Sequence, residues 1–320
     1  MTLDDIKNAI QKAETIAILV HESPDGDAIG SATAMNLALK QLGKNPDVII
    51  PEFSRTFNFL PSADEIKKET DIESYDLTIT LDCGDQKRVS NCAKYFEDAQ
   101  TTISIDHHNM NPMFADINYV DHTSPACCQI LIIIFEYLGV KITKDIGTCL
   151  LTGIITDTGG FKYEGVSEVT FEFAAELLRC GVNVSNIYKQ AMQIKSKANF
   201  ELRKFAMDRM QFLEEEKIAF TYITTEDEQK VGAEEGDHEG IVNLGRDIEG
   251  VEASIFLREQ DGMYRVSLRG NGNIDLSEVS KIFGGGGHKN AAGITLKKEM
   301  SFEELKKKLI DAVINELNNG

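Results

Sequence analysis

A histidine and two aspartates, His21, Asp25 and Asp27, sit within the stretch HESPDGDAIGS (21–31). Carboxylates one residue apart repel each other unless a cation lies near both. Three further segments carry the same kinds of group: Asp82 in LDCGD, Asp106, His107 and His108 in SIDHH, and Asp157 in GIITDTGG. Each alone has an ordinary structural use. DGD is often a turn, an aspartate after a strand often caps a helix, and adjacent histidines are usually surface residues. Four such segments, each just past an apolar run, are harder to assign to capping and point to one site. Asp25, Asp27, Asp82 and Asp157 bring four negative charges, which two divalent cations would balance. Mixed carboxylate and imidazole ligands suit manganese, iron, cobalt or zinc, whereas magnesium prefers oxygen alone. A pair of ions about 3.5–4 Å apart clamps the attacking and leaving oxygens of a phosphoryl group. The chemistry indicated is metal-assisted phosphoester hydrolysis.

The elements that must hold these residues follow from the hydrophobic pattern. TIAILV (15–20) is a continuous β-branched run, as in a strand buried on both faces of a parallel sheet. A helical pattern follows it and closes at Gly43. Further strands are expected at 47–50, 77–82, 101–106 and 116–120, with helices near 124–138, 144–156 and 167–180. This alternation predicts an α/β class with a doubly wound, mainly parallel sheet, whose ligands collect beyond the carboxyl ends of the strands. A polar helical stretch from 184 to 212 reads as a linker. A second, smaller α/β domain then opens with the strand KIAFTYI (217–223), a helix near 238–248, and a hairpin turning at Asp261-Gly262. Four glycines, a short strand and a terminal helix complete it, with Ser301 and Glu304 at capping-box spacing. The expected division is 1–185, 186–213 and 214–320.

Bulk composition narrows the function. The chain has 320 residues, long enough for two domains. Its net charge of −19, from 33 basic and 52 acidic residues, opposes duplex DNA as a partner. No apolar run approaches membrane-spanning length, so no membrane partner is expected. The acidic, amphipathic first residues do not read as a signal peptide, so the cytoplasm is the expected location. None of the six cysteines forms a Cys-x-x-Cys pair, and reduced, mostly buried thiols are expected.

HESPDGDAIGS, LDCGD, SIDHH and GIITDTGG resemble the four motifs of the DHH phosphoesterase superfamily. VSLRG and FGGGGHKNAAG resemble the C-terminal domain that accompanies it, so the likeness covers nearly the whole chain. Size and the glycine-rich motif resemble the bacterial bifunctional oligoribonucleases that also dephosphorylate 3′-phosphoadenosine 5′-phosphate. The resemblance implies two divalent ions, with manganese the expected metal. His21, Asp25 and Asp82 would hold one ion; Asp27, Asp82, His107 and Asp157 would hold the other, Asp82 bridging. Asp106 would orient a histidine, and His108 would touch the scissile phosphate or protonate the leaving oxygen. In the second domain, Arg269 can fork onto a phosphate. Gly285, Gly286 and Gly287 could present amides in a nest, with His288, Lys289 and Asn290 adjoining. Gly270 stands where that motif commonly has serine.

The partners implied are short RNA oligonucleotides or small nucleotides, and a homodimer is left open. The alternative is a phosphodiesterase for cyclic dinucleotides or linear ones such as pApA. An inorganic pyrophosphatase fits the glycine-rich motif less well, and a long-strand exonuclease needs more chain. A non-catalytic nucleotide sensor would be expected to lose ligand positions, and all are filled here.

Overall fold

In the computed structural model, which describes residues 2–163, 165–234, 236–260 and 262–319, the first apolar runs pair side by side. Helix α1 (Leu3–Lys12) leads into β1 (Ile16–Val20), then α2 (Gly26–Gln41), β2 (Asp47–Val48), β3 (Leu77–Leu81) and α3 (Ala93–Glu97). β4 (Thr102–Asp106) and β5 (Ile117–Val120) follow. The sheet is parallel throughout, ordered β2-β1-β3-β4-β5. Every residue of β1, β3 and β4 is buried. Covered on both faces, these strands carry unbroken apolar runs rather than alternation. Helices α4 (Cys127–Leu138), α5 (Lys144–Asp157), α6 (Glu168–Arg179) and α7 (Val184–Ile187) belong to the same unit, Met1–Ile194.

Helix α2 is buried on nearly every side and packs on α4 and α5. Small residues permit the approach: a Cβ at Gly30 would lie 2.7 Å from the Cys149 carbonyl oxygen. At Gly153 of α5 a Cβ would lie 2.3 Å from Cys128 Sγ and 2.5 Å from Asp27 Oδ1. Gly153→Ala is therefore expected to destabilise the chain by about 1–3 kcal/mol, as overpacking does. Chemical denaturation measures this, and an unchanged midpoint would contradict the packing. Where α2 ends, Gly43 takes φ +78° and Lys44 N donates to Leu39 O at 3.0 Å, the closure expected there.

The second unit, Lys195–Gly320, begins with α8 (Lys197–Asp208), β6 (Gln211–Leu213), β7 (Ile218–Ile223), α9 (Thr225–Val231) and α10 (Asn243–Arg246). It continues with β8 (Ala253–Gln260), β9 (Met263–Gly270), α11 (Leu276–Ile282), β10 (Gly286–His288), β11 (Ala291–Lys297) and α12 (Phe302–Asn319). Its six strands form a mixed sheet, ordered β10-β11-β9-β8-β7-β6, with β7 and β8 the parallel pair. Tyr264, Val266 and Leu268 of β9 and Ile294 of β11 share a core with Leu276, Leu305 and Leu309.

Three expectations change here. The polar stretch from 184 to 212 is not one free helix. Its later part, α8, buries Leu202 and Ala206 against Ile241 and Phe256 of the second unit, and the chain then enters β6. The helix expected near 238–248 shrinks to α10, because the loop before it is pinned to α8. Ser196 Oγ donates to Asp237 Oδ1 at 2.5 Å, and Asn199 Nδ2 donates to the Asp237 carbonyl at 2.7 Å. The glycine run is not an open nest: Gly286–His288 pairs with β11 as an edge strand. Asp261 of the expected turn lies outside the described residues, and the flanking Gln260 and Met263 pair across it. All six cysteines are free thiols, five of them buried. Among the described residues no helix is long and apolar enough to cross a membrane.

Candidate active site

The carboxyl ends of β1, β3 and β4 bring the expected groups together. His21 follows β1, Asp82 follows β3, Asp106 ends β4, and His107 and His108 come next. Asp25 and Asp27 stand at the start of α2, and Asp157 is the last residue of α5. His21 Nε2 lies 3.7 Å from Asp82 Oδ2, and His107 Nε2 lies 3.3 Å from Asp82 Oδ1 and 3.4 Å from Asp157 Oδ2. Ligand atoms of His21, Asp25 and Asp82 fall within 4.8 Å of one another, and so do those of Asp27, Asp82 and His107. The two groups share Asp82.

Local hydrogen bonds explain how each side chain is aimed. His21 Nδ1 lies 2.7 Å from the Glu22 carbonyl and His107 Nδ1 lies 3.3 Å from the Ser124 carbonyl. With a proton on each Nδ1, both Nε2 lone pairs face the carboxylates, which is the tautomer a cation needs. Asp25 does serve as an N-cap: its Oδ1 accepts from Asp27 N at 2.9 Å and Ala28 N at 3.1 Å. Asp27 is fully buried and accepts from the first amides of α4, Cys127 N at 2.6 Å and Cys128 N at 3.0 Å. Capping and cation binding are compatible, because a carboxylate has about four lone-pair sites.

Asp82 is the most constrained member. It is 2% exposed, its backbone takes φ +52°, and its Oδ1 accepts no hydrogen bond among the described residues. A left-handed aspartate costs about 1–3 kcal/mol and persists only where its surroundings enforce it. Here Asp82 N donates to Ile105 O at 3.0 Å, tying the turn to β4. Burial, then the charge of Asp27, pushes the Asp82 carboxyl well above its usual range. Burial disfavours protonation of His107, yet contact with Asp82 and the charges of Asp157, Asp82 and Asp27 outweigh it and raise its pKa strongly. A proton at His107 thus relieves repulsion that a cation would relieve better. Buried, mutually repelling carboxylates with an orphaned oxygen and two aimed imidazoles fit divalent ions.

Asp106 and His108 form a further pair beside Asp82, with His108 Nδ1 2.7 Å from Asp106 Oδ1 and 3.7 Å from Asp82 Oδ1. The other carboxylate oxygen accepts from Asn111 Nδ2 at 2.8 Å. Burial opposes ionisation of Asp106, but the His108 hydrogen bond and charge overcome it and lower its pKa. Asn111 escaped the sequence reading although it follows the histidines by three residues. Arg88 escaped it too: its Nη2 lies 3.2 Å from His21 Nδ1, and its carbonyl accepts from Glu22 N at 2.6 Å. A single arginine after an acidic loop carries no signal in sequence.

The expected substrate-binding residues lie in the second unit. Arg269 on β9 and His288 on β10 flank Ala291 of β11 in register, so all three share one face of the sheet. Lys289 and Asn290 form the turn between β10 and β11, and Asn290 Oδ1 is buried with no hydrogen-bond partner among the described residues. Gly285 and Gly287 are required by the backbone, since a Cβ there would lie 2.3 Å from Gly293 O and 2.4 Å from Ala291 O.

Comparison with known proteins gives a consistent picture. Residues 15–154 match the model of the DHH family, N-terminal domain, and residues 215–316 match that of the DHHA1 domain. The bifunctional oligoribonuclease and PAP phosphatase NrnA of Thermus thermophilus is 33% identical over 306 residues, covering 95% of this chain and 91% of the relative. The Bacillus subtilis protein of the same name is 25% identical over 300 residues, covering 91% and 92%. An exopolyphosphatase-related protein from Bacteroides fragilis superposes with a TM-score of 0.88 at 28% identity, covering 98% and 95%. RecJ of Thermus thermophilus in complex with Mn2+ shares the fold at a TM-score of 0.58 and 14% identity, covering 98% of this chain and 54% of RecJ.

Proposed function

Because the chain belongs to the DHH family, with that family's N-terminal domain followed by a DHHA1 domain, we propose that it is a metal-dependent phosphoesterase of short RNA and small nucleotides. It hydrolyses oligoribonucleotides of a few residues to mononucleotides and 3′-phosphoadenosine 5′-phosphate to AMP and phosphate, the activities named for its relatives. The observation that carries this reading is the pair of ligand groups sharing Asp82. His21, Asp25 and Asp82 would hold one divalent ion, and Asp27, Asp82, His107 and Asp157 the other, with manganese the expected metal. Bound there, the ions polarise the phosphoryl group and activate water.

The remaining steps belong to side chains. Asp106, held ionised by His108 and Asn111, accepts from His108 Nδ1 and fixes the orientation of that ring. That ring contacts the scissile phosphate or protonates the leaving oxygen. Asp106→Asn is expected to lower kcat about 10–100-fold, as loss of an orienting carboxylate does, with little change in KM; steady-state kinetics measures it. Arg269, His288 and Lys289 receive the substrate's phosphate and terminal nucleotide. The acidic surface disfavours duplex DNA, and the cytoplasm, where short RNA arises, is the proposed location.

Turnover of a linear dinucleotide, 3′-phosphoadenosine 5′-phosphate and cyclic-di-AMP by purified protein tests this reading. Hydrolysis of the first two supports it, and turnover of the cyclic substrate alone overturns it.

A further inference from the structure

One arginine side chain stands beside the candidate active site without an ion-pair partner among the described residues. Arg88 lies in the short helical segment Gln86–Cys92, which follows β3 in the same unit as the ligand groups. Asp85 caps the segment, its Oδ1 accepting from Lys87 N at 2.8 Å, and Arg88 N donates to Asp85 O at 3.0 Å. Arg88 O accepts from Glu22 N at 2.6 Å, which ties the segment to the loop beyond β1. Val89 and Cys92 are buried in one cluster with Ala17 and Leu19 of β1. Ser90, two residues on, is held at φ +50° and ψ −117°, a strained conformation of the kind that clusters at functional sites. The backbone that carries Arg88 is thus fixed, and its side chain is half-buried.

The side chain itself has no such explanation. Its Nη2 lies 3.2 Å from His21 Nδ1, but that nitrogen already faces the Glu22 carbonyl at 2.7 Å. A guanidinium only donates. If His21 Nδ1 accepted from Arg88, the ring proton would sit on Nε2, the nitrogen that faces Asp82 and that a cation needs bare. With the proton on Nδ1, donor faces donor and Arg88 gains no acceptor from the ring. The chain has 52 acidic side chains to 33 basic, yet none of those described forms an ion pair with Arg88. A half-buried guanidinium short of acceptors costs stability until something supplies them. Charge balance says what would. Four aspartates and two divalent ions cancel, so Arg88 leaves the site with a surplus positive charge, which an anion lying against it would neutralise.

We propose that Arg88 is a catalytic residue that forks onto the non-bridging oxygens of the phosphate being cleaved, on the His21 side of the site. The assignment rests on the phosphoesterase reading above and adds a phosphate clamp supplied by the same unit as the ligand groups. Planar N–H donors match two phosphate oxygens at once, and the group stays charged at every working pH. Donors preorganised toward a reacting phosphoryl group stabilise its transition state.

The test compares the parent with Arg88→Gln and Arg88→Lys in the full-length, manganese-loaded protein. In Arg88→Gln, kcat/KM for a linear dinucleotide and for 3′-phosphoadenosine 5′-phosphate should both fall about 10²-fold. Inhibition by orthophosphate should weaken about tenfold, the loss of one charged hydrogen bond. Arg88→Lys keeps the charge without the fork and should recover part of both. A further readout needs no turnover: manganese affinity, followed by electron paramagnetic resonance of the free ion, should be no weaker in Arg88→Gln than in the parent. An affinity that falls as far as kcat/KM, with orthophosphate inhibition unchanged at saturating manganese, would make Arg88 a support for His21 and overturn the assignment. Unchanged kcat/KM and inhibition in Arg88→Gln would also overturn it, leaving the phosphoesterase reading intact. A parent that hydrolyses neither substrate would instead remove the reading on which the assignment rests.

Discussion

Asp82→Asn is expected to lower kcat/KM by more than about 10³-fold, a loss of at least ~4 kcal/mol of transition-state stabilisation, because both ligand groups depend on this side chain. The same change should leave the metal-free protein at least as thermally stable as the parent. Asp82 has a raised pKa in the fold, pushed up first by burial and then by Asp27. A carboxyl raised in this way adds stability only below its ordinary value of 3.8 and loses it as pH rises through the folded value. At neutral pH the parent without metal therefore bears an unfavourable charge that asparagine removes. Manganese, which binds the folded state, should raise the Tm of the parent far more than that of the variant. Differential scanning fluorimetry with and without chelator reads both effects. A metal-free variant that melts well below the parent would show that Asp82 serves packing rather than a cation.

Chelation should abolish turnover entirely, and manganese should restore it to the parent but not to Asp157→Ala. Asp157 is 27% exposed and reaches His107 Nε2 at 3.4 Å from the end of α5. We expect a loss of about 10³-fold or more in the variant, with the fold intact because its side chain is partly solvated. Initial rates on a linear dinucleotide over a manganese titration measure this. Full activity in Asp157→Ala would take this residue out of the site.

The features legible in the sequence were those that local chemistry enforces. IAILV, LTITL and TISID read as strands because burial on both faces demands unbroken apolar runs, and all three pair in one parallel sheet. Asp and His residues past those strands marked the site for the same reason, since chain direction alone places them at one rim. Other features arise only in three dimensions. Arg88 meets His21, 67 residues away, and Asn111 reaches Asp106 only because the chain turns back after His108. TEDEQKV became α9 although it has no apolar stripe, and LSEVSKI became α11 although it is two turns long. In α9 a capping box at Thr224 and Asp227, with Arg209 paired to Asp227, supplies the order that periodicity did not announce. Four glycines in a row look alike in sequence. The backbone separates them: Gly285 and Gly287 are forced by close carbonyls, and Gly286 faces open space.

Crystals of the parent protein grown with manganese, with anomalous scattering recorded at the metal edge, test the central claim most directly. Two peaks per chain are predicted, one touching His21, Asp25 and Asp82, the other Asp27, Asp82, His107 and Asp157, with Asp82 oxygen between them. A single peak that leaves Asp82 unligated, or metal bound only elsewhere, would contradict the account.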